Sequence, residues 1–179
     1  MNRYEYLESD YADNRYKRAV EELTKLGVDW LAVNVVELNC GTARSLRYLP
    51  EVLRYTGNDI NPSLSYDTTH KNALLLNRPD EAMRDLVGRI DVLMIFGMGV
   101  GTKHESLTID ATFRELIRTR KPKFVTVGLA ARWEHPPLAE VQAWPEWAPY
   151  NLKTLDINPE DGGLLWRKLL IGARRETKA

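Results

Sequence analysis

The sequence predicts an α/β fold: a doubly wound, mainly parallel sheet closed by a C-terminal antiparallel hairpin. Three observations predict it. Apolar runs rich in β-branched residues alternate with amphipathic segments along most of the chain. A loop carrying a glycine comes after the first such run. The last two runs are joined by Asn158-Pro159-Glu160-Asp161-Gly162-Gly163, a connector too short for the crossover that parallel strands need.

Taken in order, residues 13–26 place Tyr16, Ala19, Val20, Leu23 and Leu26 at helical spacing, and Gly27 supplies the stop. Residues 31–38 (LAVNVVEL) fit a strand buried on both faces, and 42–49 is expected to turn helical. A second strand is expected over 52–60, ended by Asn61-Pro62 because proline biases its predecessor away from helix. The segment 63–76 predicts a short strand ending near Asn72-Ala73, with little or no helix before it. A helix over 79–87, with proline in its first turn, leads into 89–96 (RIDVLMIF), the most strand-like run, which Gly97, Gly99 and Gly101 should break. A helix over 106–119 turns Leu107, Phe113, Leu116 and Ile117 to the core and leaves Asp110 exposed; 123–129 (KFVTVGL) is the next strand. Segments 151–157 and 164–173 form the hairpin.

The chain has 179 residues, enough for one domain; 1–30 read as an N-terminal helical lid and 31–179 as the α/β core. Lysine plus arginine number 25 and aspartate plus glutamate 25, so no net field draws the protein to nucleic acid or an anionic membrane. The polar start (MNRYEYLESDY) lacks the apolar core of a signal peptide, no run approaches the roughly 18 apolar residues of a membrane span, and Cys40 is the only cysteine, so a cytoplasmic protein is expected. Three dispersed histidines and one cysteine show no metal-ligand spacing, and no metal is expected.

In such sheets ligands bind beyond the carboxyl ends of the strands, where strand order reverses, commonly at the first strand-to-helix loop. Here that loop is Asn39-Cys40-Gly41-Thr42-Ala43, preceded by Glu37. Gly41 lets backbone approach a ligand closely, and Asn39 tolerates the left-handed conformation. Asp59 ends the second strand, 59 − 37 = 22 positions after Glu37, about where a ribose-binding carboxylate belongs. The bland reading is that Gly41 only turns the chain and Asp59 only caps the next segment. A nicotinamide dinucleotide competes for such a loop, but Arg44 occupies the place of the third fingerprint glycine and Glu37 would repel a pyrophosphate. A carboxylate favours the cationic amino group and sulfonium of S-adenosylmethionine.

The segments VVELNCGTARSLRYLP and YTGNDINPS resemble the first two motifs of the class I S-adenosylmethionine-dependent methyltransferases, and the resemblance extends over about 33–173. It implies that Glu37 lies near the methionine amino end, that Asn39, Gly41 and Ala43 stand in the three glycine positions of the cofactor loop, that Asp59 holds the ribose hydroxyls and that Ile60 packs on the adenine. It also implies Asn72 and Ala73 beside the adenine, and Phe96 and Gly97 near the reacting methyl group. Asn39 and Ala43 depart from the family pattern.

Methyl transfer to a nucleophilic acceptor needs alignment and desolvation more than acid-base groups. The N-P-P-Y or D-P-P-Y signature of base amino-group methylation is absent after the fourth strand; His104 and Glu105 stand there instead, a candidate base and its orienting carboxylate or simply a solvated helix start. Arg132-Trp133-Glu134-His135 and the later AWPEWAPY suit an acceptor wall, core packing or a small oligomer interface, and Tyr4, Tyr6, Tyr11 and Tyr16 either a lid or ordinary packing. A lone Cys40 without a base is not a nucleophile. The sequence therefore leads to a methyltransferase acting on a small-molecule or other modest acceptor. The alternatives are a non-catalytic S-adenosylmethionine-binding or interaction protein on the same fold and, using Arg114, Arg118, Arg120, Lys121 and Lys123 as a local patch, a nucleic-acid methyltransferase.

Overall fold

A computed structural model describes residues 10–60, 70–98, 103–130, 138–157 and 166–176. The strands are β1 (Asn34–Leu38), β2 (Arg54–Asn58), β3 (Ala73–Leu76), β4 (Val92–Met98), β5 (Phe124–Ala130), β6 (Tyr150–Asp156) and β7 (Trp166–Arg174). The helices are α1 (Asp10–Lys25), the single turn α2 (Met83–Leu86), α3 (Lys103–Arg120) and α4 (Leu138–Gln142). The strands form one sheet in the order β3-β2-β1-β4-β5-β7-β6. Its first five members pair in parallel, and β7 lies antiparallel between β5 and β6. The expected α/β class and C-terminal hairpin are therefore present. The chain runs outward from β1 to β3 and then returns to β4 on the other side of β1. That reversal opens a crevice at the carboxyl ends of β1 and β4.

The core lies on both faces of the sheet. One layer joins Leu38, Ile95, Val125 and Val127 to Phe113 and Leu116 of α3 and to Trp144, Trp147 and Tyr150. The other joins Val35, Tyr55, Met94 and Phe96 to Tyr16, Ala19 and Leu23 of α1. Leu23 is fully buried, a contribution of roughly 1.5–3 kcal/mol. Helix α1 ends as expected, with Gly27 at φ 87.

Several elements depart from the sequence reading. The segment 42–49 forms only a 3-10 turn, Arg44–Arg47, because Ala43 at its start is left-handed and the next residues are turned inward by buried partners. Strand β3 begins, rather than ends, at Ala73. The Ala73 N–H donates to the His70 carbonyl (3.2 Å), closing a turn, and the apolar run 73–76 is the strand itself. Gly97 does not break β4, which continues to Met98 with a register shift against β5 between Ile95 and Met98. Gly99 and Gly101 lie outside the described residues. Asp110, expected to be exposed, is buried at 9 % exposure, its carboxyl raised to about 7 by burial and then by Glu140, against Arg114. Apolar spacing along α3 marks the side facing the sheet and does not register the side facing α4. Among the described residues no helix is long and apolar enough to cross a membrane.

Candidate functional site

Strand β1 delivers Glu37 and Leu38 to the crevice, and the chain then takes left-handed conformations at alternate residues: Asn39 (φ 54), Gly41 (φ 57) and Ala43 (φ 57). These are the three positions where the resemblance puts glycine. The loop keeps that shape although asparagine and alanine occupy two of them. A left-handed L-residue costs roughly 1–2 kcal/mol, least for asparagine, so the surrounding bonds must hold the turn. They are identifiable. The Cys40 N–H donates to the Asn58 carbonyl (3.0 Å), the Ala43 N–H to the Cys40 carbonyl (2.9 Å), and the Gly41 N–H to Asp59 Oδ2 (2.8 Å). A Cβ placed on Gly41 would meet no atom within 4 Å, so the space over this glycine is open.

Asp59 comes directly after β2 and is itself fixed. Its N–H donates to the Leu76 carbonyl (3.2 Å), and its own carbonyl accepts from Asn77 Nδ2 (3.1 Å). Asn58 exchanges two bonds with the Arg78 backbone, at 3.0 and 3.2 Å. The ends of β1, β2 and β3 are thus tied together beside the open space. Ile60 stands at 52 % exposure on the same rim, an apolar surface without core neighbours to cover it.

Glu37 is completely buried. Its Oε2 accepts from the Ser45 hydroxyl and from the Tyr55 hydroxyl (2.7 Å), while Oε1 has no hydrogen-bond partner among the described residues. Burial raises its carboxyl to about 7, against the lowering influence of Ser45, Tyr55 and the nearby Arg15. Burial and Glu37 together push the Tyr55 phenol well above its ordinary value, so it keeps its proton and donates. Helix α1 covers this group. Buried Arg15 donates to Tyr16 Oη (2.6 Å), and the Tyr16 ring meets Phe96 edge-on at 4.8 Å. Asp13, fully buried, takes two bonds from Arg44 (2.8 and 2.7 Å) and one from the Tyr48 hydroxyl (2.5 Å), clamping α1 to the turn after the loop.

The structure brings Glu37, Asn39, Gly41, Ala43, Asp59 and Ile60 to one edge of the sheet. Phe96 and Gly97 lie at the neighbouring end of β4, with Phe96 packed in the core against Tyr16. Asn72 and Ala73 are placed elsewhere. They stand at the amino end of β3, opposite Tyr55, and Asn72 donates to the Val52 carbonyl (3.2 Å) and lines a separate hollow of about 330 Å3 with His70 and Lys71. The residue that reaches the crevice from β3 is Asn77. His104 and Glu105 fall in the first turn of α3, and their side chains lie outside the described residues, as do Trp133 and His135. Trp144 and Trp147 are buried and stacked at 6.0 Å, which makes them packing residues.

Sequence reasoning missed Asp13, Arg15, Ser45, Tyr55 and Asn77. Asp13 had a readable signal, a carboxylate on the apolar stripe of α1; the others become visible only when strands are aligned.

No family model matches the chain, and no curated protein matches it by sequence. Solved structures do resemble it in three dimensions. The methyltransferase domain of bacterial CtHen1 superimposes with a TM-score of 0.66 at 14 % identity, over 92 % of this chain and 100 % of that one. Magnesium protoporphyrin IX methyltransferase ChlM from Synechocystis PCC 6803, solved with bound SAM, gives 0.67 at 12 % identity over 92 % and 80 %. The plantazolicin methyltransferase BamL gives 0.67 at 12 % over 97 % and 89 %. Together with the strand order and the reversal between β1 and β4, these likenesses show that the chain has the class I methyltransferase fold.

Proposed function

We propose that the chain is an S-adenosylmethionine-dependent methyltransferase. The observation that carries this reading is the loop 39–43, left-handed at the three family glycine positions and anchored by the Gly41 N–H to Asp59. The donor set fits the cofactor. The open space over Gly41 accepts a backbone-hugging ligand, Asp59 presents a carboxylate to ribose hydroxyls, and Ile60 and Asn77 flank the position for an adenine. Glu37 and Arg15, both buried at the opposite end of the loop, suit the amino and carboxylate groups of the methionine moiety. When bound, the cofactor supplies an electrophilic methyl group on a sulfonium. This chain's own residues bind it, orient it toward the end of β4 and exclude water there. His104, next to Glu105 in the first turn of α3, is the base that takes the acceptor's proton at a ring nitrogen in this reading. Helix α1 acts as a lid, held by Asp13 to Arg44. The acceptor is a small molecule or another modest-sized nucleophile.

A second reading, a non-catalytic S-adenosylmethionine-binding or interaction protein, draws on one observation. The segment after the loop is a four-residue 3-10 turn and so provides little of the helix dipole that strengthens binding elsewhere.

Calorimetric titration of the full chain with S-adenosylmethionine and S-adenosylhomocysteine tests the first reading. Binding to the parent that is lost in folded Asp59→Ala and Gly41→Val supports it; no binding to the folded parent refutes it. Methyl transfer to any acceptor, lost in folded Asp59→Ala, would exclude the second reading, and loss of turnover with cofactor binding intact in His104→Ala would assign the base.

A further inference from the structure

The chain is charge-balanced, yet its cations are not evenly spread. At the end of the sheet opposite the crevice, five exposed cations converge: Arg120 at the end of α3, Lys121 after it, Lys123 before β5, and Arg174 and Arg175 at the end of β7. The backbone ties these segments together. The Arg174 N–H donates to the Lys123 carbonyl (2.8 Å), and its guanidinium reaches the Lys121 carbonyl (3.2 Å). Arg175 and Arg120 donate to the carbonyls of Ala148 (2.7 Å) and Arg84 (2.6 Å). Carbonyl partners orient a guanidinium without neutralising it, so the charge and the remaining donors of each fork stay available. Most carboxylates nearby are engaged. Asp91 is buried and holds Arg89 (2.8 Å), Glu115 holds Arg84 (2.8 Å), and Glu146 holds Arg114 (3.1 Å); exposed Asp85, beside Arg84, and exposed Glu176 are outnumbered by the five cations. Lys121 is also left-handed (φ 52), so a lysine stands where glycine would close the helix with less strain.

We propose that this basic end of the sheet docks the phosphodiester backbone of a nucleic acid, at a surface separate from the crevice. Adjacent strands lie about 4.8 Å apart and α3 packs about 10 Å from the sheet, so the five cations extend over roughly 15 Å, matching about four phosphates along one strand. Forked guanidinium donors suit phosphate oxygens. Among the described residues no large exposed apolar side chain lies on the cation-bearing segments 120–123 and 174–176; Leu31, Leu53 and Leu86 stand at the same end of the sheet but on the segments before β1, before β2 and in α2. Strand β5 separates this surface from the crevice by about 20 Å, so a polymer held here leaves the crevice open.

Fluorescence anisotropy of labelled 20-nucleotide single-stranded RNA, single-stranded DNA and duplex DNA with the full chain tests the proposal, with phosphatidylserine vesicles as a separate arm. Four phosphate contacts predict a salt slope of about −2.8 for single strands, an affinity loss of about 50-fold between 50 and 200 mM salt. The double variant Lys123→Gln/Arg175→Gln should bind at least tenfold more weakly, with a slope shallower by about 1.4. Lys121→Gly removes a cation while relieving backbone strain, so it folds at least as well as the parent and should bind severalfold more weakly. The three nucleic-acid arms distinguish RNA from DNA as the source of the backbone. No binding at 50 mM salt up to roughly 100 µM protein, unchanged binding in both variants, or binding to vesicles alone would each overturn the proposal. Cofactor titration on the same samples is independent, because none of the substituted residues touches the loop 39–43.

Discussion

Replacing Glu37 with glutamine should change how the stability of the protein depends on pH, and the size of the change is set by the burial of one carboxyl group. In the unfolded chain this group titrates near 4.5; in the folded protein, completely buried, it titrates at about 7. The folded state therefore holds a proton over that interval that the unfolded state has released, and stability falls as pH rises. The contribution is fully present below about 4.5 and is lost by the time pH passes about 7. A shift of this size corresponds to roughly 3 kcal/mol. Glutamine preserves an acceptor for the Ser45 and Tyr55 hydroxyls but cannot titrate. Urea unfolding of the cofactor-free protein at pH 5 and pH 8 should show the parent losing about 2.5 kcal/mol more than Glu37→Gln across the interval. Asp110, also raised to about 7, adds a slope of the same sign in both proteins and drops out of the difference. Identical pH dependences in parent and variant would refute the reasoning, since Glu37 would then be ionised in both folded and unfolded states across the range.

The same contacts set further outcomes. On the proposed function, S-adenosylmethionine brings positive charge toward Glu37 and displaces its proton, so affinity should weaken as pH falls below about 7, by up to about tenfold per unit, and calorimetry in buffers of different ionisation enthalpy should detect proton release; pH-independent affinity would separate Glu37 from the cofactor. Asp13→Ala strands Arg44 at a buried position and removes the Tyr48 contact, so denaturant unfolding should show a loss of about 3–5 kcal/mol, and a loss below about 1 kcal/mol would mean that α1 is held by its apolar face alone. Gly41→Ala should cost only the left-handed strain, about 1–2 kcal/mol, because nothing lies within 4 Å of the new methyl group. Gly57→Ala should cost about 1–3 kcal/mol for a different reason, its Cβ falling 2.8 Å from the Tyr55 ring and 3.0 Å from Cys40 Sγ. Equal cofactor affinity in folded Gly41→Ala and parent would show that the open space over Gly41 is not used.

The alternation of apolar runs with amphipathic segments determined the α/β class, and the short polar connector at 158–163 determined the closing hairpin, because both depend on local period and chain reach. The loop was equally readable: Glu37, Gly41 and Asp59 are identified by their distances along the chain from one strand end to the next. The left-handed turn at Ala43 was not, since alanine carries no local preference for it and only the bonds around Cys40, Asn58 and Asp59 hold it there. The end of β3 escaped for a related reason. Four apolar residues carry too little pattern to set strand direction or register, so Asn77 rather than Asn72 reaching the crevice is decided by pairing with β2. The polar group around Glu37 gathers residues from α1, β1, the 3-10 turn and β2, and the cations at the far end of the sheet gather from α3, β5 and β7. Burial and convergence of this kind are properties of neighbours in space, and no spacing along the chain encodes them.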